Sequence, residues 1–324
     1  MTSALPTVRR LGRAILARVG AAALVIWATA TIVFVALRAT GDPLEAVLGG
    51  PGFQAGPEAV ARAREEYGFD QPVLIQYLLM LWRTSTLQFG DSYARKQPVS
   101  ELLIAQIPPT FFIATLALLL AWALVVAGAL IGALSRGRLG RAVRGILAGL
   151  ETASSVLPAF FLGALLILVF AAGLGWLPAT SSGFAPAGLV LPVITLAVPV
   201  AGYLAHIVRG SLDSLEDAPF AVTARARGAS EARVLAVHTL RHAALPALAL
   251  SGWAYGSLLS GAVVAEALFA RPGLGRLLLE SATVRDMPVV TGAVVVIALA
   301  YVVVMFATDA LEQFVDPRFR RAAS

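Results

Sequence analysis

The sequence predicts an all-α membrane protein with six transmembrane helices, an extracytoplasmic insertion after span one and cytoplasmic helices between spans four and five. The first observation behind this prediction is composition. Of 324 residues, 58% are hydrophobic and 14% are charged, and the mean hydropathy is +0.81, whereas a soluble domain carries about 25% charged residues. The chain has too few polar side chains to cover a water-facing globule, which excludes an ordinary soluble enzyme, a disordered chain and a fibrous repeat.

The second observation is a series of long apolar runs. The first run covers residues 19–37, and its length is sufficient to cross a hydrocarbon core of about 30 Å. A secretory signal peptide has a shorter apolar core and a small-residue cleavage site, so we expect this first span to be retained. Further runs predict the other five spans, at residues 109–134, 146–174, 189–208, 245–269 and 289–311.

The third observation is the placement of arginine. The six spans put most arginines on one side of the membrane, in the segments that hold Arg9, Arg10, Arg13, Arg18, Arg136, Arg138, Arg141, Arg144, Arg209, Arg225, Arg227, Arg233, Arg241, Arg318, Arg320 and Arg321. The short connection at 175–188 on the other side has none. Because basic residues concentrate in cytoplasmic loops, we expect both termini to be cytoplasmic, and the net charge of +6 needs no nucleic-acid partner.

Two connections are too long to be simple turns, and they set the predicted organisation of the chain. In the outer one, Leu74, Tyr77, Leu78, Leu81 and Trp82 recur at helical spacing. This pattern predicts an amphipathic helix that lies on the membrane or packs on the helix bundle. The expected divisions are an N-terminus and first span at 1–40, an extracytoplasmic segment at 41–107, a five-helix core at 108–312 that includes a cytoplasmic loop at 210–245, and a tail at 313–324.

The cytoplasmic loop predicts two short helices about a glycine. Pro219 can open the first helix, and Gly228 supplies the left-handed stop that most residues adopt only at a cost. Ser230 can cap a second helix that continues to about Arg241, and Pro246 opens the next span. Two exposed helices with apolar residues among arginines require a partner surface. A DNA-binding helix-turn-helix is disfavoured, because a loop held between two spans can hardly enter a major groove.

This loop resembles the "EAA" coupling loop of ATP-binding-cassette (ABC) importer permeases, and in particular that of the dipeptide/oligopeptide/nickel family. The sequence TARARGASE at 223–231, followed by Leu245-Pro246, carries the resemblance. Further segments are similar to the same family, namely RRL at 9–11, GDP at 41–43, YGFDQP at 67–72, QPV at 97–99, VAEALF at 264–269, PGLGR at 272–276, RDMPVV at 285–290 and DPR at 316–318. The resemblance therefore covers nearly the whole chain.

The resemblance implies a mechanism in which this chain is the first ("B"-type) permease subunit and forms half of a translocation pathway for small peptides. It implies a second homologous permease as heterodimer partner, two ABC ATPase subunits and an extracytoplasmic solute-binding protein. ATP and magnesium would bind to the ATPase subunits, so no cofactor, metal or nucleic acid is expected on this chain. The expected location is the bacterial cytoplasmic (inner) membrane, where membrane lipid surrounds the spans.

The resemblance also implies which residues contact the ATPase. Gly228 would set the elbow between the two coupling helices, while Thr223 stands where other relatives have an acidic residue. His206 stands near the end of span four, where relatives often have arginine, so a role for that position is not carried over. The predicted coupling contact consists of Thr223, Ala224, Arg225, Gly228, Ala229 and Ser230.

Several alternatives remain open at the level of sequence. The same architecture could import nickel, a metal chelate or another small solute. A secondary transporter would need carboxylates near the middle of a span, and a membrane scaffold would need no moving bundle. No HExxH, GxSxG or Walker A motif is present, so the chain is not expected to be an enzyme or to bind ATP. Glu266, near the outer end of span five, is a candidate pathway or gate residue; the alternative is a surface ion pair with Arg271.

Overall fold

The computed structural model describes residues 5–49, 55–135, 137–215 and 217–315. Within these ranges every named element is helical, and the only β pairing is an isolated bridge between Asp91 and Pro98. The predicted all-α class is therefore confirmed. Arg136, the three tail arginines and the DPR segment at 316–318 lie outside the described residues.

The helices follow one another with short connections. They are α1 Leu5–Thr40, α2 Leu44–Leu48, α3 Pro57–Glu66, α4 Val73–Ser85, α5 Val99–Leu134, α6 Gly137–Val156, α7 Ala159–Leu166, the π-helix π1 Ile167–Gly173, α8 Pro186–Ser214, α9 Pro219–Ala226, α10 Glu231–Arg233, the π-helix π2 Val234–Thr239, α11 Leu240–Ala243, α12 Leu245–Ala249, α13 Ser251–Leu268, α14 Leu274–Thr283 and α15 Met287–Val315.

Four helices of the described chain are long and apolar enough to cross a membrane. They contain the first, second, fourth and sixth predicted spans, at Val19–Thr40, Val99–Leu134, Pro186–Ser214 and Met287–Thr308. The predicted fifth span is helical as α12 and α13, but the two segments are separated at Leu250 and neither meets the same criterion of length and apolarity. Serines and Glu266 lower the hydropathy of α13. The number of spans therefore stays a prediction.

The third predicted span differs from a simple straight helix. Residues 137–173 form a pair, α6 followed by α7 and π1, that bends by 107° at the break between Val156 and Ala159. Pro158 occupies this break with extended backbone angles, φ −62° and ψ 132°. Proline lacks an amide hydrogen and restricts the residue before it, so the α-helical ladder ends there. The segment is a broken span or a re-entrant loop.

The chain forms two compact units, and the predicted divisions at residues 40, 107 and 312 stay a prediction. The first unit holds the residues up to Thr110 together with Pro272–Val303, and the second holds Phe111–Arg271 with the residues from Val304. In the first unit, Phe34 and Leu37 of α1 pack with Met287 and Val290 of α15. These contacts form an apolar cluster between the first and last spans.

Asp286, in the turn before α15, organises the connection between α1 and α5 in the first unit. Its carboxylate is buried and accepts hydrogen bonds from Ser92 Oγ at 2.5 Å and from the backbone amides of Tyr93 and Ala94 at 3.1 Å each. The neighbouring Arg285 forms an ion pair with Glu45. The chain between the first two spans is therefore fastened to the start of the last helix.

Helix α8 lies at the centre of the second unit, where it packs against α6, α7 and α13. Its approach to α6 is close: a Cβ atom at Gly202 would lie 2.6 Å from the carbonyl oxygen of Glu151 and 2.9 Å from the amide nitrogen of Ser155. Arg209 also forms an ion pair with Glu151 at 2.8 Å. The two helices thus approach each other at backbone distance and are joined by an ion pair, and α8 continues toward the loop at 210–245.

Candidate coupling site

The loop after α8 folds as two short helical segments joined by an elbow at Gly228. Helix α9 begins at Pro219, and α10 begins after Ser230, whose side-chain oxygen accepts a hydrogen bond from the amide of Arg233 at 3.4 Å. The helix–glycine–helix prediction is confirmed for these residues. The second segment is not uniformly α-helical, because π2 replaces α-helix between α10 and α11. We call residues 219–243 the coupling knob.

Gly228 closes the end of α9 in the left-handed region, with φ +84°. Its amide donates to the carbonyl oxygen of Arg225 at 2.9 Å, and the amide of Ala229 donates to the carbonyl oxygen of Ala224 at 3.1 Å. These bonds satisfy carbonyls that the end of a helix leaves without partners. A Cβ atom at Gly228 would meet nothing within 4 Å. The position therefore requires glycine for its backbone angle and not for lack of space.

An ion pair bridges the elbow. Arg225 Nε lies 3.0 Å from Oε1 and 3.2 Å from Oε2 of Glu231, so both carboxylate oxygens face one donor. The two side chains are partly exposed, and such pairs contribute about 0–1 kcal/mol each. Sequence reasoning placed Arg225 in the contact but missed Glu231 as its partner. The only available signal was opposite charge on the two sides of a glycine stop.

Four of the six predicted contact residues line one surface hollow of about 660 Å³: Thr223, Ala224, Gly228 and Ala229. Its charged lining residues are Arg227 and Arg233, and no carboxylate lines it. Of the other two predicted residues, exposed Ser230 caps α10 and Arg225 lines a second cavity. The structure therefore shows a basic depression lined by small residues at this position, where the sequence had predicted only an elbow. This hollow can accept an apolar or acidic projection from a partner.

The inner side of the coupling knob is buried. Ala221, Val234 and Ala243 are almost fully covered, and the rings of Phe220 and His242 lie 5.0 Å apart. Helix α9 packs against π2, while α11 and α12 pack against α8. A continuous series of packed elements therefore runs from α9 through π2 and α11 to α8.

The second cavity, of about 540 Å³, links the coupling knob to α6 and α8. Its lining includes both ion pairs described above, Arg225 with Glu231 and Arg209 with Glu151. Arg144 also lines it and donates to the carbonyl oxygen of Ser135 at 3.0 Å. A displacement of the knob would therefore change the surroundings of charges that join α8 to α6.

Glu266 lies in α13 and is fully buried, as is Arg271 just after that helix. The alternative of a pair on the surface is therefore wrong, because both side chains have lost their contact with solvent. Arg271 Nη1 donates to Ser181 Oγ at 2.9 Å and to the carbonyl oxygen of Gly183 at 2.7 Å, which fastens the loop before α8. Burial lowers the pKa of Arg271, and the nearby charge of Glu266 opposes that change. A gating role for Glu266 stays a prediction.

No group of three or more His, Cys, Asp or Glu side chains in the described part of the chain has the geometry to hold a metal ion. The three histidines are spread between α8 and the coupling knob. His206 Nδ1 lies 3.3 Å from Arg209 Nη2, and His242 stacks against Phe220. Each of these two histidines thus has a local structural partner.

Comparison with known proteins places this architecture among transporters. Residues 125–321 match the family described as binding-protein-dependent transport system inner membrane component. A putative peptide transport system permease protein of Brucella abortus (strain 2308) is 33% identical over 322 residues, which cover 94% of this chain and 98% of the relative. A probable peptide ABC transporter permease protein of Sinorhizobium fredii is 34% identical over 298 residues, covering 89% and 93%.

A glutathione transport system permease protein of Salmonella typhi is 33% identical over 297 residues, covering 92% of this chain and 94% of the relative. The crystal structure of an amino acid ABC transporter with histidines has a similar fold, with a TM-score of 0.50 and 18% identity, covering 68% of this chain and 94% of that one. The matched family region includes the whole coupling knob. The chain therefore belongs to the binding-protein-dependent transport system inner membrane components, the multi-pass permeases of ABC importers of the peptide/oligopeptide family.

Proposed function

We propose that this chain is the first permease subunit of an ATP-driven importer of small peptides and forms a heterodimer with a second, homologous permease. Relatives named for peptide and glutathione transport support this cargo, and glutathione is itself a tripeptide. A solute-binding protein would deliver the peptide on the outer side. The observation that carries the proposal is the coupling knob, which presents a basic hollow while its opposite side packs into the permease.

In this mechanism the hollow receives a projection of a partner ATPase. Arg227 and Arg233 favour acidic groups on that partner, and the small residues Ala224 and Ala229 permit close approach. Closure of the ATPase pair would displace α9, and the packing of α11 and α12 on α8 would pass that displacement to the spans. ATP and magnesium belong to the ATPase subunits, so this chain converts their movement into opening of the pathway.

Two alternative functions, import of a metal and secondary transport, can be compared with specific features of the structure. Import of nickel or a metal chelate is disfavoured for this chain's own residues, because the described part offers no metal-ligand cluster. A secondary transporter would use a titratable buried carboxylate, and Glu266 is buried. Its position near Arg271, which fastens the loop at 181–183, favours a structural role instead. The ATP-driven importer therefore accounts for more of the molecule.

The test is purification of the tagged chain in mild detergent from its native membrane, with co-purifying proteins identified by mass spectrometry. We expect a second permease, an ATPase with a P-loop and a solute-binding protein, with peptide retained on the last. A metal ion or chelate bound to the solute-binding protein would show that the cargo is not a peptide, but the chain would still be part of an importer. A chain that purifies alone as one monodisperse species would contradict the proposed assembly and favour a secondary transporter or scaffold.

A further inference from the structure

Helix α4 has two contrasting faces, and one of them has no partner within the described chain. The outward face of α4, which we define as Leu74, Leu78 and Trp82, occupies one stripe at a spacing of four residues. These side chains are 67%, 54% and 66% exposed. Large apolar groups that remain uncovered in one contiguous stripe mark a surface that meets lipid or another protein.

The opposite face of α4 packs against α1 and fixes the position of the helix. Tyr77 Oη lies 2.8 Å from Thr31 Oγ1 and accepts a hydrogen bond from Trp27 Nε1 at 3.1 Å. The rings of Tyr77 and Phe34 are 5.4 Å apart. Nearer the end of α1, Arg38 donates to the side chain of Gln76. Helix α4 is therefore held beside the middle and last thirds of the first span.

These contacts give the depth of α4 relative to that span. The apolar stretch of α1 ends at Thr40, and a helix rises 1.5 Å per residue. Phe34 therefore lies about 9 Å inside this end and Thr31 about 13 Å inside it. Amphipathic helices in the interface plane bury their apolar faces roughly 5–10 Å into the boundary between headgroups and acyl chains. The contact with Phe34 lies within that range, and the contacts with Thr31 and Trp27 reach deeper, the latter about 20 Å inside, so α4 lies below the membrane surface.

The composition around the outward face also favours lipid. On α1, against which α4 packs, Ile32 and Val35 are likewise exposed, so both helices present large apolar side chains. The only charged residue of α4 is Arg83, in its last turn. Tryptophan is enriched at the level of the headgroups, and Trp82 lies beside this arginine. A water-soluble partner would have to reach below the membrane surface to cover such a stripe.

We propose that α4 is an interfacial helix whose outward face is immersed in the bilayer at the Thr40 end of the first span. The helix then forms a lipid-anchored base for the outer segment, which Asp286 fastens to α15. This inference does not depend on the identity of the cargo or of the ATPase. It concerns only the first unit and its contact with lipid.

The chain contains no cysteine, so single cysteines can be introduced into the otherwise unchanged protein and labelled with a nitroxide. The informative variants are Leu74→Cys and Leu78→Cys in the full-length chain, reconstituted in phospholipid vesicles. Ile32→Cys on α1 is the lipid-facing reference, and Glu65→Cys on the polar helix α3 is the water-facing reference. Collision of the nitroxide with oxygen reports lipid, and collision with a water-soluble nickel chelate reports water.

At Leu74 and Leu78 we expect the ratio of oxygen collisions to nickel-chelate collisions to be close to that at Ile32 and higher than that at Glu65. A ratio like that at Glu65 would place the outward face in water and overturn the proposal. Low collision with both reagents would mean that protein covers the stripe, which overturns it equally and points to a partner subunit. Unchanged thermal unfolding of the labelled variants establishes that the labels report the native fold.

Discussion

At Gly228, one backbone angle decides the shape of the coupling knob. A φ of +84° is accessible to glycine, and asparagine enters this region more readily than most residues. Proline is fixed near φ −65° and would also lack the amide that donates to the carbonyl of Arg225. Because no atom of this chain lies within 4 Å of a Cβ at this position, a substitution disturbs the fold of the coupling knob only through the backbone angle. Gly228 also lines the hollow, so a variant and its control should both carry a side chain there.

We predict that Gly228→Pro leaves membrane insertion intact but separates ATP hydrolysis from uptake, because proline cannot adopt a φ of +84° and the elbow cannot form, at a local cost of more than about 1 kcal/mol. Gly228→Asn is the matched control and should retain most coupling. The measurement is substrate-stimulated ATP hydrolysis and uptake by the reconstituted importer. Normal ATP hydrolysis and normal uptake in Gly228→Pro would contradict the role assigned to the elbow.

Single residues also mark where sequence reasoning stops. The elbow glycine and the Ser230 cap could be predicted, because both depend on local backbone chemistry. The ion pair of Arg225 with Glu231 and the burial of Glu266 and Arg271 could not be predicted. Each depends on how segments on two sides of a turn, or far apart in sequence, come into contact. Glu266 and Arg271 lie five residues apart in an apolar neighbourhood, and the fold brings the 181–183 loop, about ninety residues away in sequence, against Arg271.

At the level of whole helices, proline breaks the helix at one position in this chain and is accommodated within a continuous helix at others. Pro158 ends α6 and bends the third segment by 107°, whereas Pro192 and Pro199 lie within the continuous helix α8. Pro192 is buried among the helices that surround α8, and such neighbours can maintain a helix despite a lost hydrogen bond. A proline within an apolar run thus marks a possible bend, but the packing of the surrounding helices decides whether the helix breaks there.

The packing of α8 on α6 supplies a matched pair of glycines for a prediction at this scale. Gly202 faces the backbone of Glu151 and Ser155, while Gly210, two turns later on the same helix, has nothing within 4 Å of its Cβ position. We expect Gly202→Ala to force the helices apart and to destabilise the protein by about 1–3 kcal/mol. Gly210→Ala should be neutral or slightly stabilising, because alanine favours helix by up to about 1 kcal/mol.

Thermal unfolding in detergent, followed by tryptophan fluorescence, measures both variants. A lower midpoint for Gly202→Ala together with an unchanged or higher midpoint for Gly210→Ala would support close packing as the reason for glycine at 202. Equal midpoints would mean that α6 yields without cost and that the close approach has no structural importance.

For the whole molecule, composition and hydropathy were sufficient to predict the all-α membrane class. They do not determine the number of crossings, because α6 with α7–π1 is sharply bent and α12–α13 is interrupted and less apolar than the other spans. Polar residues such as Glu266 lower the hydropathy of α13, yet Glu266 is fully buried within the fold. A count of apolar runs and the arrangement of helices in the bilayer are thus separate physical questions.

The apolar runs predict six crossings, and the placement of arginine predicts that both termini are cytoplasmic. Because the chain contains no cysteine, single introduced cysteines can test this arrangement. Ser182→Cys, Asp217→Cys and Glu280→Cys place single thiols at exposed or half-exposed sites in three successive connections. We expect a membrane-impermeant maleimide to label positions 182 and 280 in intact cells, and position 217 only after permeabilisation, because basic loops remain cytoplasmic. The unsubstituted chain should not react. Labelling of 217 and 280 from the same side would show that α12 and α13 do not cross, and would reduce the molecule to five spans with its termini on opposite sides.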